Sequence, residues 1–349
     1  MRTFTDSVKP LAAASLLVAA ATACSSSSAV PPSGVPGSGI APTMVASTSG
    51  DTMPAKKKKQ KPLLYVAVQY ENEVLVFDQT KKKNSSPKYT ITGGIYYPQG
   101  IATDKSGNLY VANENSVTIY APGATSPSTT ITAGVSWASD VAVDSGGNVY
   151  VTNNGTPSEG KEWINFYPAG STSPTYSWYA PSTSDATTDL TGVMLEYPSS
   201  TSQSNILVSY FTVSRATGLP VGDVLFCEPA YTTCFADDYS FGETGGITLQ
   251  SSKASTYDYL VIDQNIPGYD NVNASGVTPV KAGGTVPDYL TFNSTGTELY
   301  ISDYGSHSVI EYSYPSLKTL NTFKIPGSAE GSQLNLPAGV ATYPSGNYL

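Results

Sequence analysis

The chain has 349 residues, 31 of them Gly and 25 Pro, with Ser, Thr and Asn crowding the gaps between apolar runs, a composition that excludes a helical solenoid. The net charge is −9, and residues 90–349 alone carry seven Lys or Arg against 22 Asp or Glu, a net −15. This balance argues against a nucleic-acid partner and suits cations or cationic partners.

Residues 1–23 place Arg2 and Lys9 before an apolar stretch, Leu11 to Ala21, that ends in Ala21-Thr22-Ala23. That order of charge, apolar run and small residues is a secretory signal peptide and no part of the fold. Cys24 follows directly, so Ala21 to Cys24 resembles a bacterial lipobox, in which the cysteine takes a diacylglycerol and becomes the mature N-terminus. Ala21 stands where Leu is usual, and the same Ala-x-Ala would also serve ordinary signal peptidase, giving a soluble exported protein. Residues 24–62 are rich in Ser, Pro, Gly and Ala, end in a lysine run from Lys56 to Lys59 with Lys61, and read as a disordered tether.

The remainder, residues 63–349, is a repeat. Leu64 to Phe77 (LYVAVQYENEVLVF) is the back half of a unit whose front half, Gly339 to Leu349 (GVATYPSGNYL), lies at the other end of the chain. Between them Gly100-Ile-Ala-Thr-Asp104-Lys-Ser-Gly107-Asn108-Leu-Tyr-Val-Ala-Asn113 recurs without a gap as Asp140 to Asn153, and weaker copies start at Gly192, Gly246 and Tyr289. Starts 40 to 54 residues apart are the spacing of four-stranded blades. Each copy reads as strand A, a Gly turn, strand B, a polar turn and a strand C ending in an aromatic such as Tyr120 or Tyr167. Strands A and B are apolar almost continuously, as expected of radial sheets covered on both faces. The expectation is an all-β, six-bladed propeller, closed by pairing of the N-terminal strands with the C-terminal strand so that no sheet edge is left open.

Cys227 and Cys234 flank the C–D turn of the third blade, and a six-residue gap across a hairpin permits a disulfide in an oxidising compartment. In an antiparallel meander the B–C turns and D–A connections emerge on one face. The B–C positions are Asn113, Asn153, Asp263 and Asp303, with Val68 and Tyr210 in the other two blades; the D–A positions are Gln99, Asp140, Asp189, Glu243 and Asp288. Asp140, Glu243, Asp263 and Asp303 are the candidate metal ligands, for a hard cation such as Ca²⁺. Gln99, Asn113, Asn153, Asp288 and Tyr304 are the candidate binding residues of a channel mouth. The alternative for Asn and Asp at such turns is that they bond their own backbone. The lone histidine, His307, falls in a turn that explains it without catalysis.

Leu299 to Tyr312 (LYISDYGSHSVIEY) resembles the NHL repeat, in which strand B ends in Asp and a Gly-containing turn follows. That resemblance implies a six-bladed propeller of TolB-like or gluconolactonase-like architecture, acting mostly as a binding platform. Gluconolactonases hold a central divalent ion with Glu, Asn and Asp, types that Glu243, Asn113, Asn153 and Asp263 would supply, but their Glu-Gly-Pro-x-Trp pattern is absent. NHL-like lyases rely on several channel histidines, which one histidine does not provide, and neither GxSxG nor a Walker loop occurs. The sequence therefore reads as an exported, lipid-anchored, non-enzymatic module that binds an extracytoplasmic protein or small ligand, with a metal-dependent lactonase or a ligand-free envelope scaffold as alternatives.

Overall fold

The computed structural model describes residues 61–81, 86–155, 162–181, 186–195, 204–214, 217–236, 240–249, 259–273, 275–327 and 336–344. The expected signal peptide, Cys24 and all of the expected tether up to residue 60 lie outside them.

Six four-stranded antiparallel sheets make up the described region, and no helix occurs in it. The first blade contains β4 (Ile101–Thr103), β5 (Leu109–Asn113), β6 (Ser116–Tyr120) and β7 (Thr129–Ile131); the second, β8 (Ala138–Val143), β9 (Val149–Asn153), β10 (Trp163–Tyr167) and β11 (Tyr176–Tyr179). The third is built from β12 (Ala186–Leu195), β13 (Ile206–Ser214), β14 (Pro220–Cys227) and β15 (Phe235–Ala236); the fourth from β16 (Thr244–Leu249), β17 (Tyr259–Asp263), β18 (Gly268–Asn273) and β19 (Gly276–Lys281). In the fifth, β20 (Pro287–Phe292) precedes β21 (Glu298–Asp303), β22 (Ser308–Ser313) and β23 (Thr319–Lys324). The closing blade joins the two ends of the repeat region, with β24 (Pro337–Tyr343) innermost and then β1 (Leu63–Val68), β2 (Glu73–Asp78) and β3 (Tyr89–Ile91). Its seam runs from Leu63 opposite Tyr343 to Val68 opposite Pro337. The innermost strands touch in the order β4, β8, β12, β16, β20, β24 and back to β4, a closed six-bladed propeller.

The continuous apolar runs have a direct explanation in β1. Leu63, Tyr65 and Ala67 pack with Ile101, Leu109 and Val111 of the first blade, while Leu64, Val66 and Val68 pack with Tyr300, Val309 and Phe323 of the fifth. Side chains alternate across a strand, so a blade wedged between two others must be apolar at both parities. Six apolar clusters result, one for each interface between neighbouring blades.

The turn joining strands A and B also follows from its residues. Asp104 accepts hydrogen bonds from the Ser106 and Asn108 amides at 2.8 and 2.9 Å, and Gly107 supplies φ = 85°; Asp144 and Gly147 repeat the arrangement. An aspartate that bonds the backbone two and four residues on, followed by a residue free to take positive φ, reverses the chain tightly.

Candidate functional site

The inner strands come close together because four of the six repeat starts are glycine. A Cβ on Gly100 would stand 1.8 Å from Asp140 Oδ1, and one on Gly339 would stand 2.4 Å from Gln99 O. Hydrogen bonds then tie each blade to the next. The Gly339 amide donates to Gln99 O at 3.0 Å and the Gly100 amide to Ser139 O at 2.9 Å. Val193 N donates to Asp140 Oδ2 at 2.9 Å, Thr191 Oγ1 to Gly245 O at 3.0 Å, Gln264 Nε2 to Asp288 Oδ1 at 3.4 Å, and Thr342 Oγ1 to Phe292 O at 2.7 Å.

The two repeat starts that are not glycine are Asp140 and Tyr289, and both reach into the channel. The Tyr289 hydroxyl lies 2.8 Å from Ser139 O of the second blade and 2.8 Å from Thr191 O of the third, donating its single hydrogen to one at a time. Tyr289 thus spans the channel from the fifth blade and plugs its mouth. Beneath lies a cavity of about 60 Å³, lined by all six inner strands and mostly by Val, Ile, Leu, Met and Ala. The sequence signal for this plug was available: a bulky residue stands where most copies have glycine.

The proposed B–C residues are hydrogen-bonded within their own blades. Asn113 Oδ1 accepts from Tyr96 N at 3.0 Å, Asn153 Oδ1 from Ser136 N at 2.9 Å, Asp263 Oδ2 from Gly242 N at 3.1 Å and Asp303 Oδ1 from Val286 N at 2.7 Å. In each of these four blades the same position clamps the blade's own D–A connection. The amide nitrogen of Asn113 is occupied too, by Val111 O and Thr118 Oγ1, and that of Asn153 by Val151 O. Gln99 acts through its backbone, accepting from Gly339 and donating to Ala112 O at 2.9 Å. Tyr210 does not end its strand: β13 runs on to Ser214, so β12, β13 and β14 rise above the face as a three-stranded ribbon. His307 is buried in the turn before β22 at φ = 49°. A disulfide joins Cys227 to Cys234, with their Cα atoms 4.4 Å apart.

What the fold does bring together is the D–A set. Burial pushes the Asp140 carboxyl up to about 7 against the pull of the Val193 and Val141 amides, and the Asp288 charge adds to the rise. Asp288 is likewise pushed up to about 7, by burial first, with the Tyr304 hydroxyl opposing and the Glu243 charge reinforcing. Glu243 is raised by burial and by Asp189, Asp189 by burial, and Glu162 by burial with Asp189 contributing. One run of mutually repelling carboxyls therefore spans the second to fifth blades, and among the described residues no lysine or arginine holds any of them down. Asp263 and Asp303 do not belong to it, because their oxygens are drawn out to the loops. Among the described residues no three His, Cys, Asp or Glu gather as metal ligands.

The other half of the mouth is aromatic. Tyr304, its hydroxyl beside Asp288, lies near Tyr70; Tyr70 meets Tyr97 edge-on at 5.5 Å, and Tyr97 meets Trp137 at 6.2 Å. Tyr70 and Trp137 are 44% and 40% exposed, and Tyr96 beside them 63%. Tyr97 and Trp137 hold φ of 51° and 49°, a conformation costing about 1 kcal/mol for a side chain of this kind. Asn72 Oδ1, accepting from Tyr97 N at 2.7 Å, helps to fix the first of them. Each stands three residues before its repeat start, a regularity visible in the sequence that the carboxylate-centred reading passed over.

No protein-family model matches the chain, and no curated protein matches its sequence. Among solved structures it is similar to a chain of the nidogen/laminin complex, at 16% identity and a TM-score of 0.53, over 80% of this chain and 98% of that one. It is similar in the same way to a functionally unknown protein from Desulfotomaculum acetoxidans DSM 771, at 15% identity and a TM-score of 0.52, again over 80% and 98%. At these identities the likeness establishes the propeller fold alone.

Proposed function

We propose that the protein is an exported, lipid-anchored binding module of the cell envelope, which takes a ligand or protein partner at its channel mouth and performs no chemistry on it. The observation that carries this reading is the mouth itself: an arc of exposed aromatic rings faces carboxyls that no basic side chain among the described residues neutralises, above a channel closed by Tyr289. Exposed aromatics with polar tips are typical contact residues, giving large area at low entropic cost.

A binding role fits the residues better than lactone hydrolysis. Three of the four lactonase-type ligands, Asn113, Asn153 and Asp263, already accept backbone N–H groups of their own blade, so recruiting them to a metal would release three loop connections. His307 is buried in its turn, where the positive φ of the loop explains it without a catalytic role.

Two experiments test the reading. Thermal-shift screening against organic cations, calcium, organic anions, neutral sugars and lactones should find a class that stabilises the wild type and fails to stabilise Trp137→Ala. Turnover of a lactone would overturn the non-enzymatic role, and stabilisation by no class would overturn small-ligand binding. For the anchor, Cys24→Ser should move the protein from the membrane to the soluble fraction; unchanged fractionation would remove the lipid.

A further inference from the structure

The carboxyl run and the aromatic arc meet at Asp288. This residue is 7% exposed; its Oδ2 is buried and makes no well-formed hydrogen bond, Oδ1 receives the long bond from Gln264, and the Tyr304 hydroxyl is the one other donor beside the carboxyl. A buried carboxylate oxygen with no donor is costly, and an incoming N–H group would relieve it. Its neighbours at the mouth are Tyr304, Glu243, Asp140 and Tyr289, so among the described residues no cation stands ready to do so. Tyr304 then leads to the rings of Tyr70, Tyr97 and Trp137, whose faces attract positive charge and whose bodies accept alkyl groups.

We propose that the mouth binds a small protonated alkylamine, with an N–H group on Asp288 Oδ2 and the carbon chain along the Tyr70–Tyr97–Trp137 arc. The inference deepens the binding role proposed above and rests on it. Three chemical alternatives fit less well. A divalent ion needs six or more oxygens, whereas the Asp263 and Asp303 oxygens are committed to loop amides. A quaternary ammonium satisfies the rings but has no hydrogen to give Oδ2. A guanidinium binds a carboxylate through both oxygens at once, and here Gln264 already approaches Oδ1.

The test is calorimetric titration of the full chain with n-butylammonium chloride, tetramethylammonium chloride and calcium chloride at constant ionic strength. Butylammonium should bind saturably with a dissociation constant of about 1 mM, in keeping with its few heavy atoms, and tetramethylammonium at least about fivefold more weakly for want of an N–H donor. Asp288→Asn keeps the shape and removes the charge, and should weaken butylammonium about tenfold. Tyr70→Ala, at an exposed site where folding is not at risk, should weaken it about threefold through loss of the ring against which the alkyl chain packs. No saturable heat with butylammonium would overturn the proposal, as would equal affinity for tetramethylammonium, preference for calcium, or indifference to Asp288→Asn. If the amine fails while a neutral or anionic compound stabilises the protein in a Trp137-dependent way, this inference falls and the binding role stands.

Discussion

Replacing Tyr289 by Phe separates the two tasks assigned to this side chain, filling the channel and tying three blades together. The ring is 8% exposed and would stay buried, so the change removes only a hydroxyl that lies 2.8 Å from each of two carbonyls. Ser139 O keeps the Gly100 amide at 2.9 Å, which limits the loss on that side. Removing a buried hydrogen bond and leaving a carbonyl short of its donor costs about 1–2 kcal/mol. At about 2–4 °C per kcal/mol for a large domain, the melting temperature should fall by about 2–8 °C. Tyr289→Gly, which copies the residue of four other blades, also gives up the ring's burial and leaves a void, for a loss of about 3–5 kcal/mol. Differential scanning calorimetry of both variants, with Tyr96→Phe as an exposed control, measures the difference. A Tyr289→Phe protein that melts within a degree of the Tyr96→Phe control would refute the claim that this hydroxyl ties the blades.

Acidity should act on stability through the mouth. The folded-state values of Asp140 and Asp288 are raised to about 7 and that of Asp270 to about 6, so the folded chain binds more protons than the unfolded chain between about pH 4 and 7. Stability is therefore fully present at the acid end of this window and declines as pH rises through it. The melting temperature should increase on acidification from pH 8 to pH 5, with a smaller increase in Asp288→Asn; a decrease would contradict these assignments. Truncation after residue 336 removes β24, exposing the edge of β1 and uncovering apolar side chains of the first and fifth blades, so soluble yield should collapse. A truncated protein with an unchanged melting temperature would refute the closure.

The fold was legible because its signals are local and repeated. Leu63 to Val68 is apolar at every position, which only a blade covered on both faces requires, and the Asp104 and Asp144 turns carry their own hydrogen-bond donors and glycines. Closure was legible because the missing half of the last repeat lies at the start. The site was legible only in part. Asp140, Glu243 and Asp288 do share one mouth, but whether Asn113, Asn153, Asp263 and Asp303 turn toward the channel or toward their own loops depends on side-chain direction, which spacing does not encode. The prominence of Tyr97 and Trp137 depends on a left-handed backbone that asparagines distant in the sequence help to hold. The third blade misled for another reason: its spacing of 54 residues hides a hairpin lengthened on the face of the channel mouth, so Tyr210 lies level with Asn153 while its strand continues beyond.

The central claim, that the aromatic and acidic channel mouth is where this propeller binds, is tested most directly by photolabelling with a primary alkylamine carrying a diazirine, followed by peptide mapping. The account predicts adducts on the peptides that contain Tyr70, Tyr97, Trp137 and Tyr304, suppressed by excess butylammonium. Adducts confined to the outer-rim aromatics Tyr179, Tyr231 and Phe235, which are equally open to solvent at 46%, 49% and 53%, would contradict it.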